Sequence, residues 1–301
     1  MPQKFCTFSV SPANQANTMA VRQVVTGNIA NALPASPTAM TVVASGNEPM
    51  LIVYDSSLDT AQGYTLDAGS TDLTATASFK IGTGWDTIEA FVNNNAPCLM
   101  CYRGSDGTFA FYKLALPLAS PVTFSLTHNP GMTKGYTTVK PFLTPKGPAF
   151  LGYNQANGSV AIYSFAPGQP NPNCVWAHQW AAGWTRFAFF QFGGENFFFK
   201  TNVAKLNVNI DHVLDGLTAG TVEVGSHIAL DNALELTVVE PLTLANGDPH
   251  FVTYMPDGTT TLNRFNGDCL GWSKLAAWNS LPNATHVVPF LMGADAFVLF
   301  A

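Results

Sequence analysis

Charge is what this sequence has least of. Asp, Glu, Lys and Arg make up 11 % of its 301 residues, against about 25 % in an ordinary soluble domain. The 13 Lys and Arg are scattered and outnumbered by 19 Asp and Glu, for a net charge of −6. With no basic stripe to meet a phosphate backbone, nucleic acid is not an expected partner. Long apolar runs are missing too. No window reaches the length of about 18 residues that a membrane-spanning helix needs. Met1 to Cys6 shows no basic start leading into an apolar run, which predicts a cytoplasmic protein. Cysteine is scarce and odd in number: Cys6, Cys98, Cys101, Cys174 and Cys269. That argues against a disulfide framework and for a reducing compartment. Cys98 and Cys101 stand three apart, on opposite faces of a strand, so they read as core thiols and not as a metal or redox pair.

Motifs are lacking as well. The chain has no nucleophile elbow, no zinc-protease helix, no phosphate-binding loop and no dinucleotide turn. It also has no calcium loop of the Asp-x-Asp-x-Asp-Gly kind. Its six histidines, His128, His178, His212, His227, His250 and His286, show no ligand spacing. No metal or cofactor is expected.

What the sequence does have is apolar and turn-forming residues. Hydrophobic residues are 47 % of the chain, with 25 Gly and 20 Pro. This composition suits an all-β protein rich in turns. A repeat runs through it. Gly84-Trp85-Asp86-Thr87-Ile88-Glu89-Ala90-Phe91 is matched by Gly135-Tyr136 to Phe142 and by Gly183-Trp184 to Phe190. Each is followed by a turn, an apolar strand, a second turn and a third strand, and two of the second strands end in tyrosine, Tyr102 and Tyr153. Weaker copies extend the series to anchor positions 40, 88, 139, 187, 239 and 287, spaced 48, 51, 48, 52 and 48 residues apart. A period near 50 residues of short strands is one four-stranded propeller blade.

The sixth repeat has 14 residues left after its anchor, room for two strands. The segment before the first anchor holds two further strand-like runs, Lys4 to Val10 and Met19 to Val25. The whole chain, 1–301, therefore reads as a single domain: a six-bladed β-propeller whose N-terminal strands complete the last blade, so that no sheet edge is left open. In the second repeat the four strands are expected near 87–92, 97–103, 108–115 and 121–127. Asp106-Gly107, Asn157-Gly158 and Asp257-Gly258 mark hairpins between second and third strands. The short stretch Ser273 to Trp278 reads as helix or strand.

On an innermost strand, the residue after each anchor faces the axial channel: Thr41, Glu89, Lys140, Ala188, Glu240 and Val288. Three of the chain's few charges, Glu89, Lys140 and Glu240, thus occupy equivalent places. They read as an anchor or acid/base group for a small ligand, or as charges that a wet channel tolerates. Phe91, Phe142, Phe190, Leu242 and Phe290, two residues further on, should pack between blades. Trp85, Tyr136 and Trp184 recur where the innermost strand begins. They read as stacking faces for a ligand at the rim or as wedges between blades.

The element Gly-Trp-x-x-Phe-x-Phe-Phe at Gly183 to Phe190 resembles the repeat of tachylectin-type β-propeller lectins. Trp176 stands for the tryptophan of their outer strand. The resemblance covers the second to fourth repeats. It implies binding of N-acetylated sugars in pockets between blades, whereas those lectins have five blades and this repeat count gives six. Two functions follow. One is a carbohydrate-binding lectin, with Trp85, Tyr136 and Trp184 at its sites. The other is an enzyme of small-molecule metabolism, of the cyclase or rearrangement type, with one site at the channel built on Glu89, Lys140 and Glu240. The expected partner is a glycan or another small molecule.

Overall fold

The computed structural model describes residues 3–12, 19–29, 37–43, 49–65, 74–93, 96–114, 126–129, 132–165, 171–214, 222–229, 238–244, 247–268, 271–292 and 295–301. These residues form six four-stranded antiparallel sheets. Blade 1 is β3 (Ala39–Val43), β4 (Met50–Asp55), β5 (Thr60–Thr65) and β6 (Thr74–Lys80). Blade 2 is β7 (Thr87–Asn93), β8 (Ala96–Arg103), β9 (Thr108–Lys113) and β10 (Leu126–Asn129). The last of these starts later than the sequence suggests, and 121–125 lie outside the described residues. Blade 3 is β11 (Thr138–Thr144), β12 (Gly147–Tyr153), β13 (Ser159–Phe165) and β14 (Pro172–Gln179). Blade 4 is β15 (Arg186–Phe192), β16 (Glu195–Asn202), β17 (Asn207–Val213) and β18 (Val222–Ala229). Blade 5 is β19 (Val238–Thr243), β20 (Pro249–Tyr254), β21 (Thr259–Phe265) and β22 (Trp272–Asn279), so the Ser273 to Trp278 stretch is strand.

Blade 6 joins the two ends of the chain. β23 (Val287–Met292) and β24 (Asp295–Phe300) are followed outward by β1 (Gln3–Pro12) and β2 (Met19–Ile29), in the order β2-β1-β24-β23. Cys6 pairs with Phe300 and Val10 with Ala296. The repeat count, the six blades and the closing N-terminal strands are thus as the sequence implies.

The blades hold together through apolar layers between neighbours. The second strands carry most of this, since they are covered on both faces: Leu51, Leu99, Phe150, Phe199, Phe251 and Leu299 are all fully buried. The residues expected between blades are there. Phe142 stacks on Phe189 of the next blade at 4.6 Å, and Phe190 stacks on Phe265 at 3.8 Å.

Two polar devices recur and explain sequence features of the repeat. The first is a tyrosine ending the second strand. Tyr54, Tyr102, Tyr153 and Tyr254 are buried. Each hydroxyl donates to a carbonyl in the linker to the next blade, of Gly82, Thr133, Ala181 and Leu281 respectively, at 2.8 to 3.0 Å. Each also accepts an N–H from that linker, of Trp85, Tyr136, Trp184 and Ala284, at 2.7 to 3.3 Å. The residue before that N–H is left-handed, with φ of 74° at Gly84, 95° at Gly183 and 59° at Asn283. Asn283-Ala284 is therefore the sixth repeat's version of the Gly-aromatic element, hidden in the sequence because Asn tolerates this backbone and Ala replaces the ring.

The second device lies two residues before five of the anchors, the sixth such position, 237, lying outside the described residues. Thr38, Asp86 and Thr137 accept the N–H of Ser56, Gly104 and Gln155, at 3.0, 2.7 and 3.0 Å. Thr185 and Thr285 donate to the carbonyls of Thr201 and Ala301. These bonds fasten the start of the inner strand to the end of the second, which fixes how side chains enter the axis.

Candidate functional site

The start of each inner strand contributes to a funnel of about 510 Å³ on the propeller axis. That is within the size of ordinary small-molecule sites. Alternation along the strands turns residues of each blade toward it. Glu89, Lys140, Glu240, Val288 and Thr41 form the deeper ring, and Thr87, Thr138, Arg186, Val238, His286 and Ala39 the ring nearer the mouth; Ala188, at the equivalent place on blade 4, is buried in a core cluster and outside the lining. Of the residues expected at a site, Glu89, Lys140 and Glu240 are brought together here.

The Lys140 ammonium lies 2.5 Å from Glu89 Oε1, with the two side chains 27 % and 25 % exposed. Burial alone would lower the Lys140 pKa. The Glu89 and Glu240 carboxylates and the hydrogen bond to Glu89 outweigh it, and the net shift is upward. Glu240 is different. Among the described residues its carboxyl makes no hydrogen bond or ion pair. Loss of hydration raises its pKa to about 7; Lys140 opposes the rise, Glu89 adds to it and Arg186 opposes it. A carboxyl that changes charge near neutral pH inside a funnel can take and return a proton there.

Arg186 and His286 complete the cluster and were not singled out in the sequence. Both sit one residue before their anchors, and the parity that points Glu89 inward points them inward as well. His286 Nδ1 lies 2.9 Å from the Thr285 hydroxyl. Burial lowers its pKa, against a hydrogen bond with the Thr38 backbone, which favours the neutral imidazole at pH 7. Thr41 is engaged structurally, its hydroxyl accepting the Ala90 N–H of the next blade at 3.1 Å.

The recurring aromatics lie elsewhere. Trp85, Tyr136 and Trp184 are 5, 6 and 5 % exposed and outside the funnel lining. Their backbone N–H groups are those held by the tyrosine hydroxyls, so the rings are driven between blades as wedges. Trp85 donates its indole N–H to Ile81 O at 2.5 Å. Trp184 flanks a buried ion pair, Lys200 and Asp211, 2.5 Å apart and 3 % and 1 % exposed. The Lys200 ammonium also stands 3.7 Å from the Trp180 ring centre and 4.8 Å from that of Trp184. Desolvation pushes the pKa of Lys200 down and that of Asp211 up.

Only Tyr136 borders a second recess, of about 550 Å³, on the side of blade 3. Its polar lining includes Thr133, Ser159, Tyr163, Asn171 and His178. The Tyr136 and Tyr163 hydroxyls are 3.2 Å apart, and Asn171 Oδ1 is buried without a partner among the described residues. Cys98 and Cys101 are buried free thiols, and Cys174 is free and exposed. No group of His, Cys, Asp and Glu among the described residues could hold a metal ion, and no helix there is long and apolar enough to cross a membrane.

These features define a β-propeller with one asymmetric axial funnel. No family model matches the sequence, and no curated protein does. Solved structures do match. A candidate 6-phosphogluconolactonase from Bacteroides fragilis superposes with a TM-score of 0.57 at 12 % identity, over 98 % of this chain and 87 % of that one. A second such protein, from Bacteroides uniformis, gives 0.56 at 11 % over 95 % and 86 %. The periplasmic gluconolactonase of Pseudomonas aeruginosa gives 0.52 at 10 % over 88 % and 75 %. At such identities the likeness establishes the shared propeller fold.

Proposed function

We propose that the protein is an enzyme that opens a small cyclic ester in the axial funnel by acid–base catalysis. The observation that carries this reading is Glu240: a carboxyl in a funnel with no hydrogen bond or ion pair among the described residues, close enough to Lys140 and Arg186 to feel both charges. The names of the similar structures, gluconolactonase and candidate 6-phosphogluconolactonase, support the choice among acid–base reactions over a cyclisation or rearrangement. In the step envisaged, ionised Glu240 takes a proton from water as its oxygen attacks the ester carbonyl carbon. Lys140 and Arg186 stabilise the oxyanion that develops. When the ring C–O bond breaks, Glu240 returns the proton to the leaving alkoxide, giving a hydroxy acid. Glu89 keeps Lys140 charged and in place.

Proton release from glucono-δ-lactone and δ-decalactone, followed with a pH indicator and corrected for spontaneous opening, tests this. Activity should rise with pH through about 7 as Glu240 ionises. Glu240→Gln should lower kcat at least about 100-fold, the usual contribution of a general base. A variant as active as the wild type would remove Glu240 from the mechanism.

The recess beside blade 3 favours a second reading, glycan binding between blades, as the tachylectin resemblance implies. It rests on the hydroxyl cluster of Tyr136 and Tyr163 and on Asn171 Oδ1, buried without a partner among the described residues. A glycan array probed with the purified protein and with Tyr163→Phe separates the two. Sugar-competable binding that the variant loses would support the lectin.

A further inference from the structure

The funnel is lopsided, and its sides say what its substrate looks like. The charges fall on four consecutive blades: Glu89 on blade 2, Lys140 on blade 3, Arg186 on blade 4 and Glu240 on blade 5. Blades 6 and 1 close the ring with an uncharged arc, in which Val288 and Ala39 are the apolar side chains turned to the axis. The polar side chains turned to the axis in that arc are Thr41, whose hydroxyl oxygen accepts the Ala90 N–H, and His286, which sits at the mouth against the Thr285 hydroxyl and is held toward its neutral form.

The sign of the charges matters as much as their place. Two carboxyl groups, Glu89 and Glu240, face two cations, Lys140 and Arg186, and Lys140 is already paired with Glu89. A phosphate dianion is held by a surplus of Arg, Lys or backbone N–H groups. Among the described residues this funnel offers no surplus.

We infer that the substrate is an uncharged, amphipathic cyclic ester, with its carbonyl against blades 3 to 5 and an apolar substituent against blades 6 and 1, and that it is not a phosphorylated sugar lactone. This rests on the ester-opening reading given above. An arc whose axis-facing apolar side chains are Val288 and Ala39, and which holds no charged side chain, rewards an alkyl chain more than the charged arc opposite does. Each methylene seated in such a pocket changes specificity by about tenfold or more.

The test compares δ-decalactone, glucono-δ-lactone and 6-phosphogluconolactone as substrates of the full-length protein. The expected kcat/KM for δ-decalactone is at least about tenfold above glucono-δ-lactone, with the phosphorylated lactone last. Val288→Asp should raise the KM for δ-decalactone about tenfold and that for glucono-δ-lactone much less. Preference for either sugar lactone overturns the inference and leaves the enzyme reading standing. If no lactone is opened, the enzyme reading fails, and thermal stabilisation by the non-hydrolysable lactam analogues of δ-decalactone and glucono-δ-lactone still decides the ligand class. Stronger stabilisation by the alkyl lactam supports the amphipathic site. Equal or weaker stabilisation overturns it.

Discussion

Glu240→Gln makes a thermodynamic prediction that is independent of any substrate. The change keeps the shape of the side chain and removes its ionisation. In the folded protein the Glu240 pKa stands at about 7 against an ordinary 4.5, raised first by loss of hydration. Between those values the folded state holds a proton that the unfolded chain has lost. Stability from this group is therefore fully present below pH 4.5 and declines as pH rises to about 7. At about 1.4 kcal/mol per pH unit the ceiling is about 3 kcal/mol. The carboxyl faces a funnel open to water, so about 1 to 2 kcal/mol is the reasonable expectation. Gln pays none of it. Relative to wild type, the variant should gain that amount between pH 4 and pH 8, or about 2–3 °C in Tm for a chain of this length. Differential scanning calorimetry of both proteins at half-unit pH intervals measures it. A Tm difference that stays flat across this range would show that Glu240 is not desolvated in the fold and would undercut its role as the proton carrier.

Two further predictions concern the frame around the funnel. Tyr153→Phe removes a hydroxyl that both donates to Ala181 and accepts from Trp184, so urea unfolding should show a loss of about 1–3 kcal/mol; an unchanged midpoint would mean that the linker between blades 3 and 4 is held by packing alone. Lys200→Met strands the Asp211 carboxyl, whose Oδ1 already lacks a partner among the described residues, and should cost about 3–5 kcal/mol, whereas Lys200→Met with Asp211→Leu should recover most of it. Equal stability of the single and double variants would refute the coupling.

Much of the architecture is legible in the sequence because a propeller repeats its period. The anchors fall on real inner strands, and the residue after five of the six lines the axial funnel, Ala188 being buried instead, which is why Glu89, Lys140 and Glu240 could be named together. Arg186 and His286 escaped because only one residue per inner strand was read inward, while strand parity offers two. The aromatics show a different limit. Recurrence of Trp85, Tyr136 and Trp184 marks an equivalent place but cannot say whether a ring at that place faces solvent or a neighbouring blade. The deciding contact is the tyrosine hydroxyl that pins the aromatic's own N–H, and it comes from a residue about 30 positions earlier. The sixth repeat's element was invisible for the opposite reason, since Asn283-Ala284 keeps the backbone and drops the side chain that makes the pattern readable.

Six similar blades can still build one asymmetric site, and comparing equivalent positions within the chain shows how. Two residues before the anchor, the chemistry hardly varies: Thr38, Asp86, Thr137, Thr185 and Thr285 all tie the inner strand to the second. That bond is needed wherever an inner strand begins, so the residue type recurs. One residue after the anchor there is no such demand, and the side chains diverge to Thr, Glu, Lys, Ala, Glu and Val. Burying charge at these places costs free energy that an apolar ring would not incur, and among the described residues Glu240 has no hydrogen bond or ion pair to offset it, only the nearby charges of Lys140 and Arg186. A propeller stabilised for its own sake would have no use for that carboxyl. The divergence among otherwise equivalent positions, together with the desolvated carboxyl at one of them, is the reason to look for chemistry on the axis before the gaps between blades.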